Sequence, residues 1–206
     1  MAPSSLVFVD VDTQRDFLEP DGSLYIAGSE AIAGRLAELT RFARTFGVPV
    51  LATACAHELD EEDPEPFPPH CLAGTRGQER IDATSWSGPD VVIAPRGRLD
   101  SGFDAQRLPE HLTIEKQRYD VFSHPEADRI VALYNQGRPV FRVYGVATDY
   151  CVRCAVLGLL ARDCKVEVVV DAIRAVDPAA ESDVLAEFSA RGATLITTDV
   201  ACSLPS

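Results

Sequence analysis

Residues 139–160 read PVFRVYGVATDYCVRCAVLGLL, an apolar run that passes directly into a pattern of helical spacing. The run from Pro139 to Val146 predicts a buried strand, and apolar residues then recur three and four positions apart, which predicts a helix opened by Cys151. The apolar positions of this helix are Val152, Ala155, Val156, Leu159 and Leu160. A strand followed by a helix is the repeating unit of a parallel α/β sheet.

Cys151 is placed near the positive end of the predicted helix. Unpaired N–H groups and the helix macrodipole stabilise an anion at such a position, and they lower the pKa of a thiol. Cys151 is therefore a candidate nucleophile. The alternative is an inert structural cysteine, because free cysteine is among the residue types most often buried.

The same two patterns alternate along the rest of the chain. Apolar, β-branched runs predict strands at residues 5–11, 48–53, 90–94, 112–115, 139–146, 166–171 and 194–197. Helical spacing fills residues 29–46, 125–136 and 178–191. Because several strands are apolar without alternation, they are expected to be covered on both faces. We predict a three-layer α/β/α fold around a doubly wound, mostly parallel sheet, in a single domain over residues 1–206.

Composition and charge exclude several classes of function. The 206 residues are 46% hydrophobic and 25% charged, which is ordinary for a globular protein. A formal net charge of −13 argues against binding to nucleic acid, which depends on basic patches. No apolar run is long enough for a membrane span, and the first residues do not resemble a signal peptide. Six cysteines in a chain of this length are interpreted as thiols, so we expect a cytoplasmic protein.

Reactive residues follow four of the predicted strands, where ligands bind in open parallel sheets. These residues are Asp12, His57, Lys116 and Cys151. A thiol nucleophile needs a base that later returns a proton, which Asp12 can supply, and an ammonium such as Lys116 favours both anions. The alternatives are a turn residue for Asp12 and a solvated surface charge for Lys116.

Four motifs in this order resemble the cysteine hydrolase superfamily that contains nicotinamidases and isochorismatases. They are Val11-Asp12-Thr13-Gln14-Arg15-Asp16-Phe17, Phe67-Pro68-Pro69-His70-Cys71 with Gly74-Thr75 and Gly77, Glu115-Lys116-Gln117-Arg118-Tyr119, and Gly145-Val146-Ala147-Thr148-Asp149-Tyr150-Cys151-Val152. The resemblance implies the isochorismatase-like hydrolase fold. It also implies a homo-oligomer, either a dimer or a tetramer.

The resemblance assigns catalytic roles by position. It implies a catalytic triad of Asp12, Lys116 and Cys151, in which Cys151 forms a covalent acyl-enzyme. It also implies a cis peptide bond between Val146 and Ala147, which directs the N–H groups of Ala147 and Cys151 towards a developing oxyanion.

The Phe-Pro-Pro-His-Cys motif is typical of the nicotinamidase side of the superfamily. By this resemblance Phe17 and Phe67 sandwich a flat pyridine ring, while Tyr119 and Tyr150 are candidates for the pocket wall. The alternative is that both phenylalanines belong to the core.

The resemblance also implies a divalent metal (zinc, iron or manganese), and here the sequence departs from the family pattern. His57 and His70 match two ligand positions, but Cys55 stands where an aspartate is expected, and no second histidine lies between them. Cys55 is a further zinc ligand in principle, and oxygen ligands are available from Asp60, Glu61, Glu62 and Asp63. The alternative is that the two histidines are hydrogen-bonded pocket residues. No organic cofactor is expected.

These observations predict a cysteine-dependent amidohydrolase of small-molecule amides, which converts nicotinamide to nicotinate and ammonia. A first alternative is a family hydrolase of another small amide or a carbamoyl compound. Two further alternatives belong to other classes. One is a thiol redox protein, based on the C-x-x-C of Cys151 and Cys154, and the other is a binding module without catalysis.

Overall fold

A computed structural model describes residues 5–59, 67–99, 103 and 108–203. Within these residues a seven-stranded sheet forms the centre of the fold, and all of its neighbouring strands are parallel. The strands are β1 (Leu6–Val11), β2 (Val50–Cys55), β3 (Val91–Ile93), β4 (His111–Lys116), β5 (Val140–Val146), β6 (Lys165–Arg174) and β7 (Thr194–Ile196). Their spatial order is β3-β4-β2-β1-β5-β6-β7.

Helices connect the strands and cover both faces of the sheet. They are α1 (Arg15–Leu18), α2 (Ala33–Phe46), α3 (Ala127–Tyr134), α4 (Arg153–Leu160), α5 (Glu181–Ala190) and α6 (Thr198–Ala201). Each helix in the described part of the chain is too short or too polar to cross a lipid bilayer.

Alternating side chains of β1 separate the core into two layers. Val7, Val9 and Val11 pack with residues of α3, α4 and α5 on one face. Leu6 and Phe8 pack with residues of α2 and α6 on the other face. Because successive side chains of a strand point to opposite faces, a strand that is apolar at every position must be covered twice. This arrangement is the predicted three-layer fold.

The seven predicted strands and the predicted helices are confirmed, with small shifts at their ends. The segment at residues 29–46 differs in detail, because it opens as a short 3-10 turn at Ser29–Ile32 before α2 begins. The sheet is entirely parallel, whereas the redox alternative requires a thioredoxin-like fold with antiparallel strands. The fold therefore contradicts that alternative.

The strand order changes direction at β1, which pairs with β2 on one side and with β5 on the other. Such a switch point leaves a crevice at the carboxyl ends of the strands, where ligands bind. Gly145 lies at this end of β5 with φ of +115°, and a Cβ added there would lie 2.0 Å from the carbonyl oxygen of Val11. Glycine is thus required at this position of β5, beside Val11 of β1.

Candidate active site

Four strands place Cys55 and three of the predicted reactive residues at one edge of the sheet. Asp12 follows β1 directly, Cys55 and Lys116 are the last residues of β2 and β4, and Cys151 lies in the turn after β5. All four side chains are buried. The structure thus brings the predicted residues Asp12, Lys116 and Cys151 together and adds Cys55 to them.

The Lys116 ammonium lies at the centre of this cluster. Its Nζ lies 2.7 Å from Asp12 Oδ2, 3.3 Å from Cys55 Sγ and 3.4 Å from Cys151 Sγ. An ammonium has three N–H donors, and these three groups match them in number. Lys116 is only 1% exposed, so its charge depends on these partners rather than on water.

Asp12 is held in place by its neighbours on β2. Its Oδ1 accepts a hydrogen bond of 2.5 Å from Thr53 Oγ1, and its N–H donates to the Thr53 carbonyl. The backbone of Asp12 has φ of +50°, in the left-handed region that aspartate tolerates better than most residues. Burial, and then the negative charge of Cys55, raise the pKa of Asp12 above its usual value, although Lys116 opposes them. A carboxylate with a raised pKa is a stronger base.

The pKa values of Lys116, Cys55 and Cys151 depend on burial and on one another. Burial lowers the pKa of Lys116, but Asp12, Cys151 and Cys55 together raise it well above its usual value. The hydrogen bond with Cys151 lowers the pKa of Cys55 well below its usual value, against burial and with the help of Lys116. The same hydrogen bond and burial raise the pKa of Cys151. The two sulfurs and the Lys116 ammonium thus form one buried, electrostatically coupled group. The lowered pKa of Cys151 expected from the helix end stays a prediction.

The turn that carries Cys151 also differs from the predicted helix start. The chain forms a single π-helical turn over Thr148–Val152, and α4 begins only at Arg153. The Ala147 carbonyl accepts hydrogen bonds from the N–H groups of Tyr150 and Val152, so the turn is wider than an α-helical one. The Val146–Ala147 peptide bond before it is cis, at the position where the resemblance places one.

A pocket with mostly apolar walls opens above Cys151. All four predicted substrate-contacting residues, Phe17, Phe67, Tyr119 and Tyr150, line it. Three of them form a cluster of aromatic rings, with centroids 5.4 Å apart for Phe67 and Tyr150 and 5.1 Å apart for Tyr119 and Tyr150. Phe17 lies instead against His70, with centroids 5.4 Å apart. The pocket therefore has aromatic walls on more than one side.

Cys55, His57 and His70 form a group that can hold a metal ion. Their ligand atoms all lie within 4.8 Å of one another, and all three residues are buried. His70 Nδ1–H donates to the Pro68 carbonyl at 2.9 Å, which leaves Nε2 without a proton when the ring is neutral. Two imidazoles and one thiolate suit zinc, and three protein ligands leave a fourth position open. The predicted oxygen donors Asp60, Glu61, Glu62 and Asp63 lie outside the described residues.

Two polar residues of the first motif position the site without lining its pocket, and the sequence analysis missed both. The Gln14 amide bonds Cys55 twice, accepting from its N–H at 2.7 Å and donating to its carbonyl at 2.8 Å. Asp16 accepts from the N–H of Cys71 at 2.6 Å and from that of Ser23 at 3.0 Å. A signal was present in the sequence, since both are polar residues in the same motif as Asp12.

Comparisons with known proteins agree with this fold. The chain is 28% identical over 223 residues to the nicotinamidase of Escherichia coli strain K12, covering 96% of each protein. It resembles the crystal structure of Pyrococcus horikoshii pyrazinamidase in complex with zinc, with a TM-score of 0.74, 24% identity, and coverage of 94% of this chain and 99% of that one. It also resembles N-carbamoylsarcosine amidase from Thermoplasma acidophilum, with a TM-score of 0.70, 23% identity, and coverage of 98% and 99%. The family described as the isochorismatase domain matches residues 5–200, and the chain belongs to this family.

Proposed function

We propose that the protein is a cysteine-dependent amidohydrolase of small amides, with nicotinamide as its substrate and nicotinate and ammonia as its products. The observation that carries this proposal is the cluster of Asp12, Lys116 and Cys151, whose Cys151 lines an aromatic pocket. Membership of the isochorismatase domain family and the likeness to a nicotinamidase support it.

The first half of the proposed reaction forms an acyl-enzyme. The Asp12 carboxylate takes the proton of the Cys151 thiol as the sulfur attacks the amide carbon, a role that suits a buried base whose pKa is raised. The Lys116 ammonium contacts both Asp12 and Cys151, so it stabilises the negative charge on either group as the proton moves between them.

The tetrahedral intermediate then needs donors for its oxyanion. We assign this role to the N–H groups of Ala147 and Cys151, on the turn beside the sulfur. As the C–N bond breaks, Asp12 returns its proton to the leaving nitrogen and ammonia departs. Water then attacks the thioester, aided by Asp12, and releases the carboxylic acid and the Cys151 thiol.

The walls of the pocket suit a flat ring. Phe17 and Phe67 supply aromatic faces, and Tyr119 and Tyr150 extend the wall beside Phe67. Cys55, His57 and His70 are the residues that would hold a divalent metal, preferably zinc, which would act as a Lewis acid towards a ring nitrogen.

Arg118 favours a second candidate function. This exposed residue is among those that line the same, largely apolar pocket, and it carries a positive charge. A guanidinium at this place would pair with a carboxylate, which nicotinamide does not have. The second candidate is therefore hydrolysis of a carbamoyl compound that carries a carboxylate.

Ammonia release from four compounds tests the proposal. We expect release from nicotinamide and pyrazinamide, and release at least about 10-fold slower from benzamide, which has the same shape but no ring nitrogen to bind. N-carbamoylsarcosine is the anionic probe. The protein with Cys151→Ala is the blank.

The outcomes separate the two candidates. Release from N-carbamoylsarcosine alone, lost in Arg118→Gln, would replace nicotinamide hydrolysis by the second candidate. If no compound gives release above the blank, the amidohydrolase proposal is wrong for these substrates. Equal rates with nicotinamide and benzamide would contradict recognition of the ring nitrogen.

Cobalt provides a direct test of the metal ligands. Because Cys55 would bind the ion as a thiolate, Co²⁺ added to metal-free protein is expected to give a sulfur-to-cobalt charge-transfer band in the near ultraviolet. The band should be lost in Cys55→Ser and retained in Cys154→Ser, which removes a thiol outside the three-residue group. A band that survives Cys55→Ser, or no band in the unmodified protein, would contradict Cys55 as a ligand.

We further propose that this small-molecule amide hydrolase works in the cytoplasm. The six cysteines form no disulfide within the described residues. A reducing compartment is consistent with an enzyme that depends on a free thiol.

A further inference from the structure

Two cysteines meet at the site, whereas the proposed mechanism uses only one. The Sγ atoms of Cys55 and Cys151 lie 3.3 and 3.4 Å from the same Lys116 Nζ. Together with a carboxylate oxygen of Asp12 they form a group whose members all lie within 4.8 Å of one another. The two sulfurs are thus neighbours in space although 96 positions separate them in the sequence.

The surroundings allow these two sulfurs to react with each other. Both cysteines line the pocket, so a small molecule that enters it meets both. The backbone of Cys55 is held on both sides by the Gln14 amide, and Cys151 lies in the hydrogen-bonded turn after β5. The two sulfurs already lie within 4.8 Å of each other, and a disulfide requires them to close to about 2.05 Å.

We propose that Cys55 and Cys151 form a reversible disulfide when a hydroperoxide enters the pocket. Hydrogen peroxide transfers one oxygen to the sulfur that reacts first, which becomes a sulfenic acid while water leaves. The thiol of the other cysteine then attacks this sulfur, the S–S bond forms, and the sulfenic oxygen departs as a second water. The peroxide is reduced and the two thiols are oxidised, so the step balances whichever sulfur reacts first.

The disulfide would block both catalysis by Cys151 and metal binding by Cys55. It removes the Cys151 nucleophile, and it removes the Cys55 sulfur from the group with His57 and His70. It also prevents a lone sulfenic acid from proceeding to sulfinic acid, which is irreversible for most proteins. A dithiol reductant would restore both thiols.

Mass spectrometry tests this proposal without reference to any substrate. The full-length protein is treated with limiting hydrogen peroxide, its remaining thiols are alkylated, and its peptides are mapped without reduction. We expect the loss of two titratable thiols and of two hydrogens in mass, a single cross-linked peptide pair that contains Cys55 and Cys151, and full reversal by dithiothreitol.

Two variants serve as a matched pair. In Cys55→Ser the cross-link should disappear, and a second equivalent of peroxide should carry Cys151 through the sulfenic to the sulfinic acid. Cys154→Ser should form the same cross-link as the unmodified protein. A link between Cys151 and Cys154, any other pairing, sulfinic acid on Cys151 of the unmodified protein, or an unchanged thiol count would overturn the proposal. The peptide map of the unmodified protein tests the disulfide even if a variant fails to fold. Its result does not depend on whether nicotinamide is the substrate.

Discussion

The Cys151→Ala protein is expected to release ammonia from nicotinamide no faster than the buffer, a loss of roughly 10⁴-fold or more. The reason is chemical, since alanine has no atom that can form the acyl-enzyme, and the removal of a covalent nucleophile alone costs about as much as the removal of a whole triad. The fold should survive, because the change removes one sulfur atom from a wall of a pocket. Initial rates of ammonia release at saturating nicotinamide measure the effect.

The matched control for this loss is Cys154→Ala. Cys154 lies on the first turn of α4, only three residues along the chain, and it does not line the pocket. We expect it to keep rates within a few-fold of the unmodified protein. Cys151→Ser places an oxygen at the same position. It should also be inactive, because a hydroxyl is much less acidic than the thiol that Asp12 and Lys116 activate. Near-native rates for either Cys151 variant would rule out the acyl-enzyme mechanism.

The sheet could be predicted from local sequence, because its strands are buried on both faces. A strand such as β5 is apolar at almost every position, and the helix that follows it repeats apolar residues with a different period. The two periods are visible without any knowledge of long-range contacts. The residues that follow such strands could then be assigned to one edge of the sheet, since all parallel strands end there.

The role of Cys55 could not be predicted in the same way. Its contact with Lys116 depends on the pairing of β2 with β4, in which these two residues are register partners, and no local pattern specifies that pairing. The sequence shows only that a cysteine replaces an expected aspartate. The pKa values of the two thiols could not be predicted for a related reason: each depends on the neighbouring sulfur, which the sequence does not place.

The Lys116→Met variant is expected to lose about 3 to 5 kcal/mol of unfolding free energy in addition to its activity. The variant leaves the Asp12 carboxylate buried without its cation, and breaking a buried ion pair on one side costs about that much. Denaturant-induced unfolding at neutral pH measures the change. An exposed arginine gives the comparison: Arg35→Met, which loses contacts with Glu38, Asp171 and Asp199, should cost only about 1 kcal/mol.

The double variant Asp12→Asn, Lys116→Met separates stability from catalysis. With both charges removed, no unpaired ion of this pair remains buried, so most of the stability lost in Lys116→Met should return, and the two substitutions should show a large favourable coupling. Ammonia release should remain absent, because the amide that replaces the Asp12 carboxylate cannot take the thiol proton. Additive losses of stability would mean that the pair contributes little to the fold, and recovery of activity in the double variant would exclude Asp12 as the base.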